Sequence, residues 1–551
     1  NAILRREYSI GGIHMKHTRL LAILMALCLL AAALPLASAE EEVITLTIAR
    51  KTDTLIENLE TNETTKAIEE KFGVKLKFLE YPSADAQAKL AVVMASKSNV
   101  PDIINFELDY VTEYNYAMRG LLLPLNAYLA DPSMTKNLDS RVDAEAKEAL
   151  LKIVRMPDGN NYGLPSYEDS MWGRAWYHAW INQEWLDALG LDMPKTTEDF
   201  RAVLEAFVSQ DPNGNGVNDE IGLLGSTTSD DQKVVNFLLN AFTYADPNAK
   251  YFGVKDGEVY AAFVQDAFKE GLEYVHSLVE SGLIYAGSFT QDQTQMRAII
   301  NQDGDYVVGS VTAGSAGHWN GVSSNPNLRK MTELEPLTGP DGVCWTPTSE
   351  PTCVNDWYIT SACEHPELAF AIGESFYDFE TSLTQRYGVK EVDWTNDPAK
   401  MDNYFFEYGV TGEDRIFAIM NDGAWTNVNN VTWRSSTPHI FDHALDMSWA
   451  IETIENYESG VSLVFRPDFY VRYVPHMNNE IIGKLNYTAE EAERIADIST
   501  AIDSYVNESI TAFVTGIKDF SEWDAYLAEL EKMHLEDYIA VQQAAYDRKH
   551  S

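Results

Sequence analysis

The chain has 551 residues, 45% hydrophobic and 23% charged, and sets 84 Asp+Glu against 41 Lys+Arg for a formal charge of −43 at pH 7. These are globular proportions, and at roughly 100–200 residues per domain they predict about three domains or two large lobes around sizeable cores. So negative a surface repels phosphate backbones and anionic lipid, which excludes nucleic-acid binding, while 12 Trp, 28 Tyr and 22 Phe exclude an acidic disordered chain.

Met15-Lys16-His17-Thr18-Arg19 is a cationic stretch, 20–36 an apolar run and Ala37-Ser38-Ala39 a small-residue cleavage site. Together they predict a secretory signal peptide over 15–39, cut after Ala39, with residues 1–14 read as translated upstream sequence. The apolar run is short of the ~20 residues that span a bilayer. Leu27 immediately before Cys28 argues against lipid attachment there. The exported chain keeps Cys344, Cys353 and Cys363; a Cys344–Cys353 disulfide is one arrangement, but spacing does not decide the pairing.

From residue 43 the pattern alternates. A β-branched run at 43–49, a polar helical stretch, an alternating strand at 74–79, a helix at 84–96 and a short strand opened by Pro101 predict β–α–β units. Further strands are expected at 306–311 and within 343–360, and helices at 198–208, 264–281, 366–379 and the end of the chain. The expected fold class is α/β with two lobes, each a mostly parallel sheet flanked by helices, and extra C-terminal helices. With no long linker, hinge crossovers are expected near 158–165 and 289–305. Lobe 1 then comprises 43–160 plus about 303–365, and lobe 2 about 165–298 plus about 366–551.

Residues 211–220, DPNGNGVNDE, follow the D-x-[DN]-x-[DN]-G opening of a calcium loop. Asp211, Asn213 and Asn215 offer side-chain oxygens at every second position, Gly216 allows the sharp turn, and the Val217 carbonyl and Asp219 continue the shell. Position 12 is Gly222 rather than the bidentate Glu, so Glu220 must close the shell from another angle. An Asx/Gly-rich turn that binds nothing is the alternative; the expected cofactor is structural Ca2+.

The segment 180–197, WINQEWLDALGLDMPKTT, followed by a helix and the loop at 211, resembles the extracellular solute-binding proteins, family 1, of ABC transporters. PDII at 101–104, GLLLPL at 120–125, DGNNYGLP at 158–165, HPE at 365–367, TAEEA at 488–492, FVTG at 513–516 and AAYDR at 544–548 match in order. The likeness is nearest the large oligosaccharide-type branch, which includes LipO-like and alginate-binding proteins. It implies a type II periplasmic-binding-protein fold of two lobes joined by hinge strands, closing on a carbohydrate and delivering it to a membrane permease. It also implies an extracellular or periplasmic monomer, no catalysis, and a calcium loop completed by Glu220. A secreted carbohydrate-active enzyme and a peptide-binding protein are the alternatives.

A sugar needs aromatic platforms for its C–H faces and carboxylate, amide or Arg partners for its hydroxyls. The densest aromatic cluster, Trp172, Trp176, Tyr177 and Trp180 with Arg174 interleaved, is read as extended, so that Trp172, Arg174 and Trp176 share a face. Trp180 is expected in the core. Trp319, Trp425, Trp433 and Arg434 stand in polar or Gly-rich stretches, where either ligand contact or packing accounts for them. Glu107, just past an expected strand end, is a candidate hydroxyl acceptor. His439 and His443 lack the Glu of a zinc-protease motif, and no nucleophile elbow, P-loop or dinucleotide fingerprint occurs.

Overall fold

A computed structural model of the protein describes residues 43–321, 326–401, 416–420, 427–434, 436–446, 449–450 and 466–550. The expected leader and Trp425 lie outside them. In chain order, strands β1 (Ile44–Lys51), β2 (Val74–Tyr81), β3 (Ile103–Asn105), β4 (Gly163–Glu168), β5 (Ala179–Asn182), β6 (Ile221–Leu224), β7 (Phe252–Lys255), β8 (Glu258–Ala261), β9 (Val308–Thr312), β10 (Met331–Leu334) and β11 (Thr352–Ile359) are interleaved with helices.

A six-stranded sheet runs in the order Ile440–Phe441, β4, β11, β3, β1, β2, and a four-stranded sheet in the order β10, β5, β9, β6. The first has cores on both faces: Leu46 and Ile48 of β1 enter one apolar cluster and Ala49 the other, whereas β2 at the edge keeps the alternating pattern VKLKFLEY. Local signals set the helix ends. Asn62 caps Glu63–Phe72 by accepting from the Thr64 amide, and Gly73 (φ 67°) ends that helix in the left-handed region that glycine enters without strain. Thr196 and Asp199 form a reciprocal capping box on Thr197–Ser209. The C-terminal helices Ala489–Val514, Trp523–Lys532 and Leu535–His550 dock on the second lobe, where Ile502, Val506, Phe513 and Tyr538 share a core with Phe252, Phe268 and Leu272.

The two-lobed α/β architecture is present, but its allotment along the chain differs from expectation. β9 and β10 pair around β5, so the stretch after 303 belongs to the second lobe until β11 returns to the first sheet. Conversely, Phe370, Phe376, Trp433 and Ile440 pack in one cluster with β1, placing much of 366–446 in the first lobe. The segment expected as a hinge at 289–305 contains the second-lobe helix Gln293–Ile300. Two of the observed crossings are 169–178, between β4 and β5, and 335–351, between β10 and β11. An apolar run announces a strand, whereas its sheet is chosen by non-local pairing. The second sheet is also mixed, since β5 is antiparallel to both neighbours and only β6–β9 is parallel. Cys344, Cys353 and Cys363 are free thiols.

Candidate functional site

Strand register determines which ends of the two sheets face each other. β4 runs out at Glu168 toward the second lobe and β11 comes back at Thr352. β3 is antiparallel to β11, β1 is parallel to β3, and Arg50 is opposite Asn105, so Lys51, Asn105 and Glu168 all mark the inter-lobe end. In the second sheet Ala179, the first residue of β5, pairs with Thr312 and Leu334, the last residues of β9 and β10. Leu224 at the end of β6 pairs with Val311. The carboxyl ends of β1, β3, β6 and β9 therefore converge on one cleft crossed by 169–178 and 335–351, the position ligands favour in open α/β sheets.

Arg174 fastens these crossings together. Its Nη1 donates to Asp169 Oδ1 at 3.0 Å and its Nε to the Ser349 carbonyl at 2.8 Å, while the Ser349 amide donates to the Arg174 carbonyl at 2.7 Å. The 171–174 segment is a helical turn capped by Ser170, not a strand, so the expected shared face of Trp172, Arg174 and Trp176 does not exist. Trp172 instead points inward, 7% exposed, against His178 (4.8 Å between ring centroids) and Phe469 (5.2 Å). Trp180 is wholly buried, as expected, with its indole N–H on the Ala313 carbonyl.

Trp176 is half-buried at the seam. Gly314, two residues past β9, packs closely beside it: a Cβ there would come within 2.5 Å of the Trp176 carbonyl and 2.7 Å of the indole Nε1 and Cε2. The imidazole of His318 meets the Trp176 ring edge-on at 5.5 Å. Asp231, 4% exposed, takes His318 Nδ1 at 2.7 Å and the Gly314 amide at 2.7 Å on one oxygen, and the Ser229 hydroxyl at 2.5 Å on the other. Burial alone raises a carboxyl, but His318 and these donors hold that of Asp231 below its usual range. Its neighbour Trp319, a candidate from the same Gly-rich stretch, is entirely buried at 5.8 Å from Trp180. No local signal marks Asp231, 87 residues from its partner.

Other expected contacts are engaged elsewhere. Trp433 is 0% exposed, packed on Phe78 and Phe376, with its indole N–H on Thr65 Oγ1 at 2.8 Å and the Arg50 guanidinium 5.0 Å from its ring. Arg434 Nε pairs with Asp53 at 2.8 Å. Glu107 sits at the rim and pairs at 3.1 Å with Lys484 of the second lobe. His439 is buried, and desolvation pushes its basicity down to about 4.

The 211–220 loop is wound as its sequence suggests. Asp211 (φ 50°) accepts from the amides of Asn215 and Gly216, Asn213 Oδ1 from Asn215, and Asn215 Oδ1 from Val217, while Asn215 Nδ2 donates to Asp219. Such Asx turns hold the loop without a cation. Glu220 is different: both carboxylate oxygens are shielded from solvent without a hydrogen-bond partner, and burial, with Asp219 and Asp211 nearby, raises its pKa. Among the described residues no group of three or more His, Cys, Asp or Glu is spaced to hold a metal, so a cation here relies on Asn and backbone oxygens too. An orphaned carboxylate beside two others fits a hard divalent ion.

Among known proteins, the model of the family described as bacterial extracellular solute-binding protein matches residues 63–380. The fructooligosaccharide ABC transporter substrate-binding protein FusA of Streptococcus pneumoniae is 26% identical over 502 residues, 87% of this chain and 86% of that protein. The solved structure of FusA with kestose superposes with a TM-score of 0.71 at 25% identity, covering 92% of this chain and 99% of that one. An EF-hand mutant of FusA with fructo-nystose gives 0.69 at 25% identity and the same coverage.

Proposed function

We propose, from the premise that this chain belongs to the bacterial extracellular solute-binding proteins, that it captures a neutral oligosaccharide between its lobes and delivers it to an ABC permease. The observation that carries this is the half-buried Trp176 indole at the seam where the two sheets present their strand ends, an apolar face of the kind a sugar ring covers. The match to FusA over most of both chains supports an oligosaccharide, with fructooligosaccharides the first class to try. A uronate is disfavoured: Arg174 and Arg434 already neutralise Asp169 and Asp53, and the chain is strongly acidic. Hinge motion over the 169–178 and 335–351 crossings closes the lobes, and the closed shape is what the permease reads.

Two finer points belong with this proposal. The 15–39 leader is removed after Ala39 on export; no described helix is long and apolar enough to cross a membrane. Ca2+ is held by Asp211, Asn213, Asn215, the Val217 carbonyl, Asp219 and Glu220, which supplies the shell the missing position-12 Glu would have given, and its role is to pin the loop. The EF-hand mutant of FusA supports that assignment.

Thermal unfolding with kestose, maltotriose, mannotriose, trigalacturonate and a tripeptide tests the proposal, because a ligand that binds only the native state raises Tm. A rise with a neutral trisaccharide is expected. A rise with the peptide alone, or none with any sugar, overturns it.

A further inference from the structure

Asp231 and His318 form a pair that the architecture of the second lobe does not require. Asp231 follows β6 and His318 follows β9, and the two loops meet at the cleft-facing end of the sheet. The pair is held from several sides. Gly314 N–H and the Ser229 hydroxyl fix Asp231, and the Arg297 guanidinium binds the backbone carbonyls of His318 (2.9 Å) and Gly317 (2.7 Å). With Nδ1 donated to Asp231, the neutral ring takes one tautomer, and Nε2 becomes an acceptor on the far side of the imidazole. Among the described residues Nε2 has no partner, and the side chain is 33% exposed. The imidazole and the Trp176 indole are 5.5 Å apart between centroids at an interplanar angle of 80°, a T-shaped pair.

A stiffened imidazole with one free nitrogen beside a half-buried Trp is the arrangement that orients a polyhydroxylated ring. The indole takes the C–H face, while the nitrogen selects a hydroxyl at a fixed height and angle to it. Resting on the sugar-binding function above, we propose that His318 contacts the ligand directly and determines specificity in the second lobe. Its Nε2 accepts from a hydroxyl of the sugar ring stacked on Trp176, and Asp231 is the positioning residue that sets its tautomer. Among the described residues, the charged groups near the imidazole include Asp231 itself and Arg297, on the carbonyls of His318 and Gly317, while the neighbouring Asp230 pairs with Lys233.

The test titrates the full exported chain calorimetrically with kestose, maltotriose and mannotriose, and follows imidazole nitrogen signals by NMR, assigning His318 from the signal lost in His318→Ala. For the best-binding trisaccharide, His318→Ala should weaken binding at least tenfold with Tm little changed, and His318→Gln should restore part of the loss. The His318 Nε2 signal should move on sugar addition. Asp231→Asn should mix the two tautomers in the free protein and weaken binding several-fold, a tautomer readout that lost packing alone would not produce. Unchanged affinity in His318→Ala together with a stationary Nε2 signal overturns this proposal alone. If no trisaccharide binds the unmodified chain, the oligosaccharide function falls and this assignment with it.

Discussion

Trp433→Ala separates core aromatics from ligand platforms. The indole is fully buried between Phe78 and Phe376 at ring distances of 5.4 Å each, beneath the Arg50 guanidinium and bonded to Thr65. Removing a buried Trp or Phe side chain costs ~3–5 kcal/mol, most of it transfer and cavity energy. Thr65 loses only an incoming bond, because its hydroxyl still donates to the Leu59 carbonyl at 2.6 Å. At ~2–4 °C per kcal/mol for a unit of this size, Tm should fall by roughly 6–20 °C. Trp433→Phe keeps most of the volume and gives up the hydrogen bond, worth ~0.5–1.5 kcal/mol, so its fall should be much smaller. Scanning calorimetry gives Tm, and titration below the transition gives the sugar affinity of the folded protein, expected to stay within threefold. A normal Tm with lost affinity would refute the placement and return Trp433 to the ligand surface.

Trp176→Ala should do the reverse, lowering sugar affinity at least tenfold in titration while Tm moves by a few degrees. Removing calcium with a chelator should lower Tm, and Glu220→Gln should shrink that drop; an identical melt with and without chelator would leave 211–220 an ordinary turn. Burial pushes the carboxyls of Asp356, Glu113 and Asp246 each up to about 7. Because these folded pKa values exceed the unfolded ones, their contribution to stability is whole below about pH 4 and is lost as pH rises toward about 7. Asp356→Asn should flatten that slope in melts from pH 4 to 8. His439 acts oppositely, its stabilisation lost as pH falls from about 6.5 to about 4.

Local physics was legible in the sequence. The β-branched run at 43–49, the helical pattern at 198–208 and the loop at 211 each carry their signal within a few residues, and the structure places an element at each. Partnership across distance was not. β9 and β10 read as strands of either sheet until pairing with β5 assigned them to the second. For Trp319 and Trp433 the polar neighbours leave ligand contact and packing equally open, and both are buried by residues remote in sequence: Trp180 for one, Phe78 and Phe376 for the other. Arg174 was expected at the ligand and is the fastening of the crossings, since Ser349 is 175 residues away. Asp231 and His318 carry no shared motif, and only the meeting of the β6 and β9 loops joins them.

Closure of the two lobes on a neutral oligosaccharide is read by small-angle X-ray scattering of the exported chain, titrated with the neutral trisaccharide that raises Tm most. The radius of gyration should fall saturably with sugar and stay constant with trigalacturonate. Saturating sugar binding with an unchanged radius of gyration would contradict closure of the lobes as the signal to the permease.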